Sequence, residues 1–250
     1  MLLNNFYNDM KLPIIQGVIR RRILVNFRVE PGVMQRQLPS KFRPKLLAGA
    51  AIGGICLIRL EQIRAKGLPA FMGLSSENAA HRIAVLWEDD QGATREGVFV
   101  PRRDTNSILN QMAGGRLFPG EQHAADFRVN GGGERIDLEM KSTDGEVAVR
   151  VRGRVAAELS GTSRFGSLTE ASNFFEPGSL GYSATGDAGR LDGMVLKTKT
   201  WRVEALEVEH VYSSYFGDEK KFPRGSVDFD CALLMRDIEH EWHSAPDLYV

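Results

Sequence analysis

The chain has 250 residues, enough for one large domain or two small ones with a sizeable core. Its 42% hydrophobic and 26% charged content is ordinary for a globular protein in water, and Lys plus Arg balances Asp plus Glu at 32 each. That balance leaves no global field to draw a nucleic acid or an anionic membrane, so neither is expected as a partner.

The N-terminal stretch MLLNNFYNDMKLP lacks the basic start and unbroken apolar core of an export signal, so a cytoplasmic location is expected. The longest apolar run, Leu46–Ile58 (LLAGAAIGGICLI), is too short and too glycine-rich to span a bilayer. Cys56 and Cys231 both sit in apolar strand-like runs and are expected as reduced core thiols, a disulfide between them being the weaker reading. No Cys/His spacing suggests zinc, and neither a metal nor another cofactor is called for.

In chain order, alternating or β-rich runs occur at Arg20–Arg28, Ile52–Leu60, His81–Glu88, Gly97–Arg103, Ala124–Val129, Arg135–Lys141, Val147–Val155 and Met194–Val203. Period-two alternation of this kind predicts half-buried antiparallel strands. Turn signals at Asp89–Gly92, Asn130–Gly133 and Thr143–Gly145 separate them, and the last two punctuate a three-strand meander. The triple glycine 131–133 lacks a following helix and the Lys-Ser/Thr of a phosphate cradle, so it reads as a hairpin turn. Helices are expected at Pro31–Leu38, Thr105–Gly115 and Thr169–Phe175, and long loops over Ser160–Gly193. The whole is one α+β domain over residues 1–250, mainly antiparallel β, with residues 1–17 and 240–250 as peripheral tails.

Arg20-Arg21-Arg22 stands on a strand, so two of its side chains share one face and the third opposes them. Trp87 and Trp201 read as core residues. No nucleophile elbow supports Ser-His-Asp chemistry, and His240–His243 (HEWH) lacks the spacing of a zinc-binding helix.

The stretch Arg20–Pro39 (RRRILVNFRVEPGVMQRQLP) resembles the opening strand and helix of the acetoacetate decarboxylase-like superfamily. Gly97–His123 is similar to its strand, helix, Gly-Arg and active-site segment, and Leu191–Tyr212 to a late strand of an uncharacterised branch. The resemblance implies a β-barrel or cone around a central cavity, two or three peripheral helices, and a homo-oligomer. It also implies a site. The decarboxylase forms a Schiff base through a lysine activated by an adjacent cation. That lysine stands seven residues beyond the arginine of the Gly-Arg pair, which is Arg116 here, so its position falls on His123, followed by Ala124 and Ala125.

Imidazole forms no stable imine with a ketone, so Schiff-base decarboxylation at this position is not expected. The resemblance carries the cavity arginine onto Arg20 and the cavity glutamate onto Glu77. A site of Arg20, Glu77 and His123 would be coherent: Arg20, with Arg116, would hold a carboxylate or enolate oxygen. His123 would move a proton near neutral pH, and Glu77 would orient it or act as the acid.

Two readings follow. One is a metal-free lyase, aldolase or isomerase acting on a small oxo-acid or similar anionic metabolite. The other is a non-catalytic small-ligand binder on the same scaffold. Borohydride reduction in the presence of acetoacetate is expected to trap no adduct at residue 123, as peptide mapping by mass spectrometry would check. An adduct on Lys141, Lys197 or Lys199 would instead reveal a relocated nucleophile.

Overall fold

Alternating apolar side chains produce a single thirteen-stranded sheet among residues 13–108 and 120–250, which the computed structural model describes. The strands are β1 (Ile15–Val29), β2 (Arg43–Pro44), β3 (Leu46–Leu47), β4 (Ala50–Ala65), β5 (Leu74–Glu88), β6 (Thr94–Thr105) and β7 (Gln122–Asn130). They continue as β8 (Arg135–Ser142), β9 (Ala148–Ala156), β10 (Leu180–Ala184), β11 (Arg190–Thr198), β12 (Glu204–Ser213) and β13 (Val227–Tyr249). Among the described residues two α-helices accompany them, α1 (Pro31–Gln35) and α2 (Leu168–Phe175).

The eight expected strands form, most of them longer than the alternation alone marks. The hairpin turns join β5 to β6, β7 to β8 and β8 to β9 as expected. Thr105 closes β6, and most of the helix expected at Thr105–Gly115 lies outside the described residues. Three readings need correction. Residues 240–250 are not a tail, because they extend β13 and pair with β1 and β11. Ser160–Gly193 carries α2, β10 and the start of β11 between its loops. Trp201 lies beyond β11 in a connecting segment.

The pairing closes two rings that share one wall. β13, β1, β4, β5 and β6 lie side by side, and β7, β8, β9 and β12 join the ends of that wall into a nine-strand ring. On its other face β10 and β11 do the same, giving a seven-strand ring. The pairs β6–β7 and β6–β10 are parallel and the remaining pairs antiparallel. Parallel pairs need crossover connections, which is why these joins fall on long chain segments.

Because side chains alternate, the wall is buried on both faces. One face sends Ile23, Val25, Ile55, Leu57, Ile83 and Leu234 into a core shared with Leu138, Met140, Val149 and Val151. The other sends Leu24, Ile52, Cys56, Ile58 and Leu233 toward Ala171 and Phe175 of α2. Ser167 caps α2 by accepting from the backbone N–H of Glu170 at 3.1 Å, which fixes the helix against this second face. Among the described residues no helix is long and apolar enough to cross a membrane.

Two histidines are buried with the strands. His81 packs at a tilt on Tyr215, centroids 4.5 Å apart, and His240 meets Trp242 edge-on at 4.3 Å. Burial, with Arg102 and Lys221 nearby, lowers His81 to about 3; burial lowers His240 to about 4. The unfolded chain protonates both near pH 6.5, so below that value it binds more protons than the folded chain. Folding stability is therefore expected to fall as pH drops from 6.5 toward 4, by up to about 1.4 kcal/mol per pH unit for each histidine. Urea midpoints measured across that range should decline less steeply in His81→Phe; an unchanged slope would contradict the assignment.

Candidate functional site

A cavity of about 120 Å³ lies within the seven-strand ring, and all seven of its strands contribute to the lining. Its polar side chains are Arg22 of β1, Asn78 and Arg82 of β5, Arg103 of β6 and Gln122 of β7, with Ser179 beside β10. Cys56 of β4 and Trp242 of β13 complete the part that bears chemistry. Small residues, Ala80, Gly178 and Gly181, leave the space open.

The three guanidinium groups share one property: their partners are neutral. Arg22 donates from Nε to Cys56 Sγ at 3.2 Å and lies over the Trp201 ring. Arg82 donates from Nη2 to Asn26 Oδ1 and sits 4.7 Å from the centroid of Phe175, while its buried Nε has no partner. Arg103 donates from Nε to Ser183 Oγ at 3.0 Å. Among the described residues no carboxylate lies within ion-pair distance of any of them. Asp192 acts on Arg103 only from farther off, because it accepts from the Gly120 N–H and pairs with Arg190. Burial pulls Arg82 and Arg103 down to about 10 from the ordinary 12.5, and Arg22 adds to the effect on Arg82.

Local structure holds Arg82 in place. The Asn26 amide donates to the Leu24 carbonyl at 3.1 Å, which turns its oxygen toward the guanidinium. Gly54, across from Asn26 on β4, makes room for this: a Cβ there would lie 2.2 Å from the Val25 carbonyl oxygen and 3.2 Å from Asn26 Oδ1.

Elsewhere the protein compensates its buried arginines. Arg102, 8% exposed, pairs with Asp104, Asp144 and Glu146. Arg21 pairs with Glu77 at 2.6 Å. A buried charge left without a counter-charge costs several kcal/mol, and in this cavity Arg82 is buried and Arg22 and Arg103 are half-buried without such compensation among the described residues.

The residues expected at a site are not brought together. Arg20 is exposed and held by Glu61 and Asp237. The reason is a β-bulge: Arg20 is an extra residue of β1 opposite β4, so the alternation resumes out of step and Arg22 faces the cavity. Glu77 points away from the cavity onto Arg21, and burial raises its carboxyl above the usual range against the pull of Arg21 and Arg59. Its neighbour Asn78 lines the cavity instead.

His123 faces a groove on the other side of β7, with Nδ1 3.2 Å from Asp144. Burial works against ionisation of Asp144, but bonds from Ser142, the Glu146 N–H and Arg102 outweigh it and hold that carboxyl below its usual range. Gln122 takes the cavity side, beside Arg103 across the parallel pair. Arg116 lies outside the described residues.

Residues 18–225 match the DUF2071 family, described as an uncharacterized conserved protein. The chain belongs to that family. No curated protein matches it. Its fold is acetoacetate decarboxylase-like. An acetoacetate decarboxylase-like enzyme from Sphingomonas wittichii RW1 superposes with a TM-score of 0.58 at 12% identity, covering 100% of this chain and 97% of that one. The enduracididine biosynthesis enzyme MppR, complexed with pyruvate, gives 0.58 at 11% over 98% and 93%. The acetoacetate decarboxylase of Legionella pneumophila gives 0.56 at 11% over 99% and 93%.

Within this DUF2071 chain, the residues that sequence reasoning missed carried a signal. Arg82 interrupts the apolar face of β5 between Ala80 and Ala84, a position that a solvated arginine would not occupy. Arg103 follows Pro101, near which β5 and β6 shift register, so its face could not be read from alternation alone. The contrast between compensated and uncompensated arginines makes a prediction. Arg102→Met is expected to destabilise the protein by about 3–5 kcal/mol, since it strands the buried Asp104. Arg103→Met is expected to leave stability unchanged or improved. Denaturant unfolding would compare the two, and equal losses would refute the distinction.

Proposed function

We propose that this protein binds a small carboxylate-bearing metabolite in the seven-strand ring, through Arg22, Arg82 and Arg103. The observation that carries this reading is a set of three guanidinium groups in one cavity, Arg82 buried and Arg22 and Arg103 half-buried, with no carboxylate counter-charge among the described residues. An anion would supply the missing charge, and a planar carboxylate suits the fork of donors that a guanidinium presents. Gln122 and Asn78 add neutral contacts with which the pocket orients its ligand. That MppR, a protein of the same fold, has been seen complexed with pyruvate supports a ligand of this size and charge.

Recognition rather than acid–base catalysis is the reading we favour. A lyase or isomerase of the kind considered above needs an acid–base pair within reach of one ligand position. Among the described residues, the lining holds no histidine, carboxylate or lysine, so neither proton transfer through His123 nor a Schiff base has a group in the cavity.

Isothermal titration with pyruvate, oxalate and inorganic phosphate, alongside uncharged methyl pyruvate, tests the proposal. At least one anion is expected to bind saturably, with affinity about 10- to 100-fold lower in Arg82→Gln or Arg103→Gln, the range of one charged hydrogen bond. Methyl pyruvate binding as well as every anion, or binding indifferent to both substitutions, would overturn it.

A further inference from the structure

We infer that Cys56 is the reactive thiol of this cavity and that it reacts selectively with small electrophiles carrying a carboxylate. The inference rests on the anion-binding reading and extends it from recognition to covalent capture.

Cys56 stands on the face of β4 that lines the cavity, with Sγ 3.2 Å from Nε of Arg22. Arg82 and Arg103 line the same space, and the electrostatic influence of the thiol reaches both. Arg82 is 4% exposed and its Nε has no partner, so the cavity already carries an unsatisfied donor independent of the cysteine. A carboxylate docked on these arginines would therefore lie against the sulfur. Holding the two reactants together raises the rate through proximity, and the positive lining raises the local concentration of anions.

The second cysteine is a built-in control. Cys231 sits on β13 outside the cavity lining, 2% exposed, with Asn26 Nδ2 3.5 Å from its sulfur. Burial, and Asp230 beside it, push its thiol up to about 12.

Iodoacetate and iodoacetamide are the probes: they deliver nearly the same electrophilic carbon with and without a negative charge. In either reaction the thiol gives its proton to solvent, the sulfur pair attacks the CH₂ carbon, and the carbon–iodine bond breaks to release iodide. No oxidant, reductant or further reactant is needed. Rates at Cys56 and Cys231 would be followed on the intact full chain by peptide mapping, with glutathione as the free-thiol reference.

The ratio of iodoacetate to iodoacetamide rate at Cys56 is expected to exceed that of glutathione by about tenfold or more, the lower end of electrostatic focusing. Oxalate should protect Cys56 in the native protein, and Arg103→Gln should return the ratio toward that of glutathione. A Cys56 ratio at or below that of glutathione, or faster labelling of Cys231, overturns the inference. The anion titrations described above separate the two failures. If anions bind while Cys56 shows no preference, covalent capture falls and the binding reading stands. If no anion binds better than methyl pyruvate, the binding reading itself falls, and this inference with it.

Discussion

Both rings depend on a wall of five strands that is buried on its two faces. A strand exposed on one side needs apolar residues only at alternate positions, whereas one buried on both must be apolar at nearly every position. Within the apolar run, residues 51–58 meet that demand: all eight are buried, and in β4 the odd and even apolar residues enter different cores. The nine-strand ring is filled by side chains, with Phe27 stacked on Phe216 and Phe42 packed against Trp87 and Phe99. In the seven-strand ring the positions facing inward include Ala80, Gly178 and Gly181, which are too small to meet, so a void remains.

What fills the rest of that void is charge. Water solvates an arginine well and a strand interior does not, so each buried guanidinium in this protein needs an answer. At Arg102 and Arg21 the answer is covalently part of the chain. At Arg22, Arg82 and Arg103 the described residues supply sulfur, amide and hydroxyl partners, together with the ring faces of Trp201 and Phe175. Such contacts orient a guanidinium without neutralising it. Groups held in place without a counter-charge lower the stability of the protein, which sets them apart from the structural ion pairs of Arg102 and Arg21.

Fold similarity at 11–12% identity reaches as far as the architecture. Ring closure makes the cavity, so any chain that closes the same strands inherits the space. Which atoms line it depends on single residues and on where a bulge falls, and function resides in those residues.

The sequence by itself determined the strands, since alternation and turn chemistry are local, and β7, β8 and β9 form the meander that their turns specify. It also marked segments that line the cavity: the Arg20–Arg22 triplet, the residues after Ser75 and the start of β7 all contribute to it. Which member of each group faces inward was decided by tertiary structure. Inward and outward positions differ by one residue, and that difference is set by pairing with a distant strand. The extra residue at Arg20 exists only in relation to β4, and the shift near Pro101 only in relation to β5. Hence Arg22, Asn78 and Gln122 face the cavity while Arg20, Glu77 and His123 face away. The full length of β13 escaped notice for the same reason: beyond the apolar run around Cys231 it is defined by pairing with β1, β11 and β12, all earlier in the chain, and no local pattern encodes those partners.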